Sequence, residues 1–394
     1  MEDKICSRCI LDTTVPDIWF DEKGVCKYCK IQDELDKGNP LGEAGKHRLN
    51  RLIDKIKKGG RGKDYDCVVG VSGGRDSTYT LYLVKQLGLR PLAVHFDNGW
   101  NSETAVDNIR KATGKLGVDL HTVVADWDEF RDLQVSFLKA SVPDVEVPTD
   151  WAIYSTLFKA ASDEGVKYVL HGHSFRTEGT SPIGWTYMDG RYVREVQRIF
   201  GKKRVKSFPI MMMSDILYHL FVDGIREVRL LEYVPYNQDD VSRLLERELG
   251  WRYYGGHHHE SIYTEFVQSY LLPRKFNIDK RKTEYSALIR SGQMGREEAL
   301  RKIRGSPYQY RPEVVDYCVK KLGFTEDEFR QIMEAEPKSF RDYPTYYPLI
   351  RAMRLPIRVA CGLHLLPKIV HLLSLIHISE PTRLLSISYA VFCL

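Results

Sequence analysis

The chain is defined first by what it lacks. Nowhere in its 394 residues is there a Gly-x4-Gly-Lys-Ser/Thr stretch, which argues against an ordinary P-loop NTPase. Charge of one sign is not in large excess: 58 Lys and Arg against 53 Asp and Glu leave +5. That balance permits an anionic substrate and does not demand nucleic acid. No apolar run is long enough to span a bilayer; the most apolar stretch, from Leu373 onward, is broken by Glu380, Pro381 and Arg383. The opening Met1-Glu-Asp-Lys is charged and leads straight into cysteines, with no secretory leader, so a cytoplasmic location is expected. Cysteine is scarce at eight residues, and four of these sit in one tight pattern. This reads as metal ligation in a reducing compartment rather than a disulfide framework.

What is present centres on Asp66-Cys-Val-Val-Gly-Val-Ser-Gly-Gly-Arg-Asp-Ser77. An apolar run predicts a buried strand, then a glycine turn, then a helix from about Asp76. Glycines admit close backbone approach, and free N–H groups at a helix start point at an anion. Ser72, Gly73, Gly74, Arg75 and Ser77 are therefore candidate phosphate contacts. Asp76 is out of place in an anion cradle unless a cation intervenes, so nucleotide with Mg²⁺ is expected. Ser72-Gly-Gly-Arg-Asp-Ser77 resembles the PP-loop of ATP pyrophosphatases, which split ATP into AMP and pyrophosphate.

Cys6-Ser-Arg-Cys9 and Cys26-Lys-Tyr-Cys29 are two Cys-x2-Cys knuckles. Four thiolates in two tight turns suit tetrahedral Zn²⁺ in a closed, structural site; an iron–sulfur cluster or free thiols are the alternatives. The segment between them has too few apolar residues for its own core, so metal must order it.

From Tyr65 strand and helix patterns alternate, with strands expected at 66–72, 90–97, 119–125 and 166–171. This predicts an α/β fold, a doubly wound parallel sheet, with ligands at the carboxyl ends of the strands. His95 and Asp97 follow the second strand, where PP-loop enzymes face adenosine. After the fourth comes His171-Gly-His-Ser-Phe-Arg-Thr-Glu178, in which Gly172 allows close approach. The order Gly172-x4-Thr177-Glu178 resembles a segment of NAD synthetases whose Glu helps hold Mg²⁺; by that resemblance Glu178 joins Asp76 at the metal. The alternative is a polar loop whose Glu pairs locally. His171 and His173 read as hydrogen-bonded scaffold ahead of ligands.

Residues 179–210 read as a long, finally basic insertion, mostly a solvated face. Further on, His258, His259, Glu260 and Ser261, with Lys275, are candidate substrate contacts; adjacent histidines diverge, so a second metal there is the lesser reading. Residues 262–350 are expected to be helical, with Thr325 and Glu328 forming a capping box. The expected organisation is a zinc ribbon (1–35), a linker helix (36–63), a PP-loop ATP-binding domain (64–255), a helical substrate and C-terminal domain (256–372) and a tail (373–394). The tail resembles a translated sequencing adapter and is read as foreign to the gene.

Together the tandem knuckles, the PP-loop, His95-Phe-Asp-Asn-Gly-Trp100, His171-Gly-His-Ser174, Tyr254-Gly-Gly-His-His-His-Glu-Ser261 and Ser291-Gly-Gln-Met294 resemble the N-acetyl sugar amidotransferases of surface-polysaccharide (O-antigen) biosynthesis. The resemblance runs from about Cys6 to about residue 370; His257 departs from the Lys more usual there. It implies an adenine-nucleotide alpha-hydrolase-like fold using ATP, Mg²⁺ and Zn²⁺. The implied reaction adenylates the acetamido oxygen of a nucleotide-linked N-acetyl sugar and replaces it with ammonia, with Asp76, Ser77 and Glu178 at the chemistry. Ammonia is implied to come from a glutaminase partner of the imidazole-glycerol-phosphate-synthase type, since no glutaminase signature surrounds Cys67, Cys318 or Cys361. The rival readings are a tRNA-thiolating PP-loop enzyme and a zinc-ribbon nucleic-acid-binding protein; nucleic acid is not expected as a partner.

Overall fold

The computed structural model describes residues 4–256, 258–305 and 308–353. His257 and the 373–394 tail lie outside them. Two helices open the chain, α1 (Lys27–Gly38) and α2 (Gly42–Gly59). A β/α series follows: β1 (Cys67–Gly70), α3 (Arg75–Gln86), β2 (Pro91–Asp97), α4 (Glu103–Leu116) and β3 (Leu120–Val124). It continues with α5 (Trp127–Lys139), α6 (Val147–Asp163), β4 (Tyr168–His171), α7 (Gly190–Phe200), α8 (Met213–Phe221), β5 (Arg226–Arg229) and α9 (Gln238–Leu249). The C-terminal part comprises α10 (Ile262–Phe266), α11 (Leu272–Phe276), α12 (Arg281–Arg290), α13 (Arg296–Gly305), α14 (Pro312–Leu322), α15 (Glu326–Glu334) and α16 (Tyr347–Ala352).

The five strands form one parallel sheet ordered β3-β2-β1-β4-β5. Side chains alternate across a strand, and the central strands are apolar on both faces. Val68, Leu92, Val94 and Val169 pack into one core with α5, α6 and α7; Cys67, Val69, Ala93 and Leu170 pack into the other with α2, α3, α4 and α9. The sheet is therefore doubly wound. The order in which strands are added reverses at β1, which has β2 on one side and β4 on the other. Ligand crevices form at such a switch point, beyond the carboxyl ends of the strands.

Two expectations need correction. The single linker helix over 36–63 is two helices: α1 ends at Gly38, and Pro40, lacking an N–H, separates it from α2. Nor does α2 link anything loosely, since Leu49, Ile53 and Ile56 are buried against the sheet. The 179–210 insertion contains α7, started by Asp189, whose side chain accepts from Tyr192 N at 2.6 Å. It buries Tyr192, Val193 and Val196 against α5. β3 lies at one edge of the sheet, with mostly exposed side chains.

α10 and α11 are one continuous rod joined by a π-turn, Val267–Leu271. Pro273 has no N–H to donate to the turn before it, a common origin of such a defect. The capping box on α15 is present, with Glu328 N to Thr325 Oγ1 at 3.2 Å and Thr325 N to Glu328 Oε2 at 2.9 Å.

Candidate active site

β1 delivers its chain into Ser72-Gly73-Gly74, and α3 begins at Arg75. Gly73 stands at φ +79, and a Cβ there would meet the Ala105 carbonyl oxygen at 2.2 Å, so only glycine fits. Its carbonyl is held from behind by the buried Trp251 Nε1 at 3.0 Å and Asn108 Nδ2 at 3.2 Å. With the carbonyl drawn rearward, the loop keeps its front for a ligand. The two serines meet each other, Ser72 Oγ to Ser77 Oγ at 3.1 Å, and Gly74 N donates to Ser72 Oγ at 3.3 Å.

The segment after β4 lies directly against this loop. A Cβ on Gly172 would stand 2.6 Å from Ser77 N and 2.8 Å from Asp76 O. This approach brings Glu178 to Asp76. Tyr236 donates its hydroxyl to Asp76 Oδ1, Arg75 Nε lies 3.3 Å from the same oxygen, and Thr177 Oγ1 donates to Oδ2 at 3.4 Å. Burial raises the Asp76 carboxyl, Arg75 opposes this, and the Glu178 charge adds to it. Burial also acts to raise Glu178, but the adjacent His173, bonded through Nδ1 to Glu178 Oε2, outweighs it and holds the group low. Two carboxylates that repel each other in front of an anion cradle form a donor set that fits Mg²⁺.

Both loops open into a cavity of about 320 Å³. The segment after β2 and the C-terminal helices close it. Ser102 N donates to Glu260 O at 2.8 Å and Ile262 N to Trp100 O at 2.9 Å. Glu260 thereby reaches the PP-loop: its Oε1 accepts from Ser72 Oγ at 3.4 Å, while its buried Oε2 has no hydrogen-bond partner. His258, in the left-handed region at φ 58, lies 3.5 Å from Glu260. Burial disfavours its charge, yet Glu260 prevails and raises its pKa to about 10, so an imidazolium stands in the cavity. On the opposite wall Glu146 and Asp150 lie one turn apart on and before α6. Burial pushes Asp150 up to about 7, reinforced by Glu146, and Glu284 of α12 likewise to about 7.

The structure thus brings together Ser72, Gly74, Arg75, Asp76, Ser77, His95, Gly172, Glu178, His258, Glu260 and Ser261 around one cavity. Ser261 also caps α10, accepting from Thr264 N at 3.3 Å. His95 lines the wall with both ring nitrogens engaged, to Val71 O at 2.8 Å and Asn101 Nδ2 at 3.1 Å. Asp97 is turned to its own loop, accepting from Gly99 N at 2.9 Å and Asn101 Nδ2 at 3.2 Å. His259 pairs at 3.8 Å with Glu265, itself gripped by Arg311. Lys275 does not join the site: its ammonium caps the end of α15, donating to Ile332 O and Ala335 O. His173 is engaged as scaffold, whereas buried His171 leaves Nε2 without a partner.

Sequence reasoning missed Tyr236, Glu146, Asp150 and Glu284, and gave Thr177 only as part of the Gly172–Glu178 segment. The one signal was Glu146-Val-Pro-Thr-Asp150, carboxylates a helical turn apart entering an otherwise apolar helix.

The four knuckle cysteines are buried and converge, their sulfurs all within 4.8 Å. Cys6–Cys29 and Cys9–Cys26 lie 3.9 and 3.6 Å apart, near the roughly 3.8 Å edge of a tetrahedron with Zn–S bonds of about 2.3 Å. Three backbone N–H groups, of Arg8, Cys9 and Cys26, point at Cys6 Sγ within 3.2–3.4 Å. The buried Nε and Nη1 of Arg290 have no hydrogen-bond partner; the Cys9 thiol is lowered chiefly by Cys26 and Cys29, with the Arg290 charge adding a smaller share. A guanidinium placed there answers the net negative charge of a four-thiolate zinc centre. The donor set fits zinc, and it is the only such group of three or more His, Cys, Asp or Glu among the described residues.

The fold and its loop define an α/β protein with a doubly wound parallel sheet and a PP-loop-like turn at Ser72–Ser77. Residues 260–355 match the model described as "LPS biosynthesis protein WbpG-like, C-terminal domain". That match agrees with the resemblance to proteins of surface-polysaccharide biosynthesis drawn from the motifs. It is also similar to the uncharacterized protein MJ1599 of Methanocaldococcus jannaschii, 25% identical over 253 residues, 63% of this chain and 73% of that one. It resembles the tRNA-specific 2-thiouridylase MnmA of Serratia proteamaculans at 30% identity over 126 residues. That match spans 28% of this chain and only 34% of the thiouridylase. An NMN synthetase structure from Francisella tularensis aligns over 52% of this chain and 95% of its own, at 14% identity and a TM-score of 0.27; a likeness that weak carries no argument. Among the described residues no helix is long and apolar enough to cross a membrane.

Proposed function

We propose that the protein is an ATP-dependent, AMP-forming amidotransferase acting on a nucleotide-linked N-acetyl sugar in surface-polysaccharide biosynthesis. One observation supports this reading: the PP-loop and the WbpG-like helices line the same cavity, Ser72, Asp76 and Glu178 together with Glu260, Thr264 and Glu284. A nucleotide site and a polysaccharide-biosynthesis domain that share one cavity share a substrate.

In the proposed reaction the acetamido oxygen attacks the α-phosphorus of ATP and pyrophosphate departs. Ammonia then adds to the activated carbon, the carbon–oxygen bond to AMP breaks, and an acetamidino group remains. Backbone N–H groups of the loop and the start of α3 face the phosphates and hold the departing pyrophosphate. Mg²⁺, held by Asp76 and Glu178, would offset phosphate charge against the cavity's carboxylates. His258 adds a fixed cation. Asp150 and Glu284, titrating at about 7, are the carboxyls suited to accept the protons ammonia sheds. Ammonia is supplied by a separate glutaminase of the imidazole-glycerol-phosphate-synthase type, and the zinc centre is structural.

Cys67 and Cys318 are fully buried, and burial pushes both thiols up, Cys318 to about 12. Neither offers the reactive thiolate of a thiolating enzyme. The test is to supply ATP, ammonia and UDP-N-acetyl sugars and to resolve the nucleotide products. AMP and pyrophosphate with an amidino sugar are expected. ADP as product would overturn the mechanism, and turnover stimulated by tRNA alone would transfer the assignment to tRNA modification.

A further inference from the structure

Arg176 lies in the loop between Gly172 and Glu178 and is 8% exposed. Its guanidinium grips two separate elements through three acceptors. Nε and Nη2 meet Asp36 Oδ1 of α1 at 3.0 and 2.7 Å, Nη2 donates to Asn39 O at 2.8 Å just beyond α1, and Nη1 donates to Glu232 O at 3.1 Å after β5. Its carbonyl accepts from Ser291 Oγ, at the end of α12, at 2.9 Å. The next two residues are Thr177, which donates to Asp76, and Glu178.

Both helices that hold Arg176 are themselves fixed to the cysteine centre. α1 contains Cys29, and Arg8 of the first knuckle donates to both oxygens of Asp33 on α1, at 2.6 and 2.7 Å. Ser286 of α12 accepts from Ile10 N at 3.3 Å, and Arg296 at the start of α13 donates to Cys9 O at 3.1 Å and Cys6 O at 2.9 Å. Lys282 of α12 pairs with Asp12 at 2.6 Å.

From this continuous set of contacts we infer that Arg176 is a positioning residue, transmitting the rigidity of the cysteine centre to Thr177 and Glu178 and so setting the Asp76–Glu178 pair that receives Mg²⁺. The inference rests on the nucleotide reading of the cavity. A planar fork with five donors can serve three acceptors at once; a lysine ammonium on a flexible stem cannot.

The test measures binding of a non-hydrolysable ATP analogue as a function of Mg²⁺, using the full zinc-loaded chain. For R176K the Mg²⁺ needed for half-maximal binding should rise about 10-fold or more, as for other groups that orient a metal's ligands. S291A and D36N, which keep the arginine, should shift it in the same direction by less. Thermal melting is recorded in parallel, and removal of zinc by a chelator should move the Mg²⁺ requirement as R176K does. If R176K does not fold, the D36N and S291A shifts decide. Variants that lower the melting temperature while leaving the Mg²⁺ requirement unchanged would overturn the inference alone. A wild-type chain that bound no analogue at any Mg²⁺ concentration would overturn the nucleotide reading and this inference with it.

Discussion

The Tyr236 hydroxyl donates to Asp76 Oδ1, joining the segment beyond β5 to the first turn of α3. Arg75 Nε reaches the same hydroxyl at 3.1 Å, so tyrosine, arginine and aspartate form a closed set. Y236F removes one donor from a carboxylate that faces another carboxylate. ATP turnover should fall about 10-fold and the Mg²⁺ requirement rise, in the range seen when partners of metal-ligating carboxylates are lost. Steady-state kinetics over a Mg²⁺ series reads this directly; unchanged kinetics would remove Asp76 from the metal.

The Gly172 approach admits no side chain. In G172A the added carbon must push the loop away from Ser77 N, 2.6 Å distant. A shift of that size at a reacting centre costs on the order of 100-fold in rate. The expected result is near-complete loss of AMP formation with a far-ultraviolet circular dichroism spectrum like that of the wild type. Full activity in G172A would show that the two loops need not touch.

Purified protein should contain about one zinc ion per chain, bound in a closed four-sulfur site. C26S should lose the metal and melt at a lower temperature, since metal affinity is folding free energy in such a site. R290M should keep the fold but release zinc to a chelator more readily. Elemental analysis and chelator titration measure both; a protein rich in iron would reassign the centre.

Stability should depend on pH with a definite sign. Burial pushes Asp150 and Glu284 up to about 7, whereas carboxyls of an unfolded chain titrate near about 4. Between those values the folded protein keeps protons that the unfolded chain has released. Their contribution is therefore full below about pH 4 and is lost as pH rises through about 7. In ligand-free protein D150N should flatten the melting temperature between about pH 5 and pH 8 relative to wild type. An identical pH profile would mean that Asp150 is ionised throughout.

The sheet was legible because Cys67–Val71 and Pro91–Val94 are apolar at consecutive positions, the mark of strands buried on both faces. Helix starts were legible where a side chain caps them, as at Thr325. The PP-loop was legible because glycine and serine at fixed spacing encode backbone shape. The long-range assignments were not. Nothing local in Glu260 announces that it lies against Ser72, 188 residues away. Lys275 looked like a substrate cation because its neighbours are basic, yet helix carbonyls claimed it. α7 was hidden because Gly190 and a run of charges mask an apolar stripe that packs chiefly on α5.

Gly179 passes so close to α12 that a Cβ would stand 3.2 Å from Thr283 O and from the Ala287 side chain. The loop and the helix must therefore change in step: a bulkier residue on either surface requires an answering change on the other. A helical end taken from another protein would have to refit both the loop from Gly172 to Gly179 and the cysteine knuckles, which α12 and α13 contact. The heritable unit is the three together, even though more than a hundred residues of chain separate them.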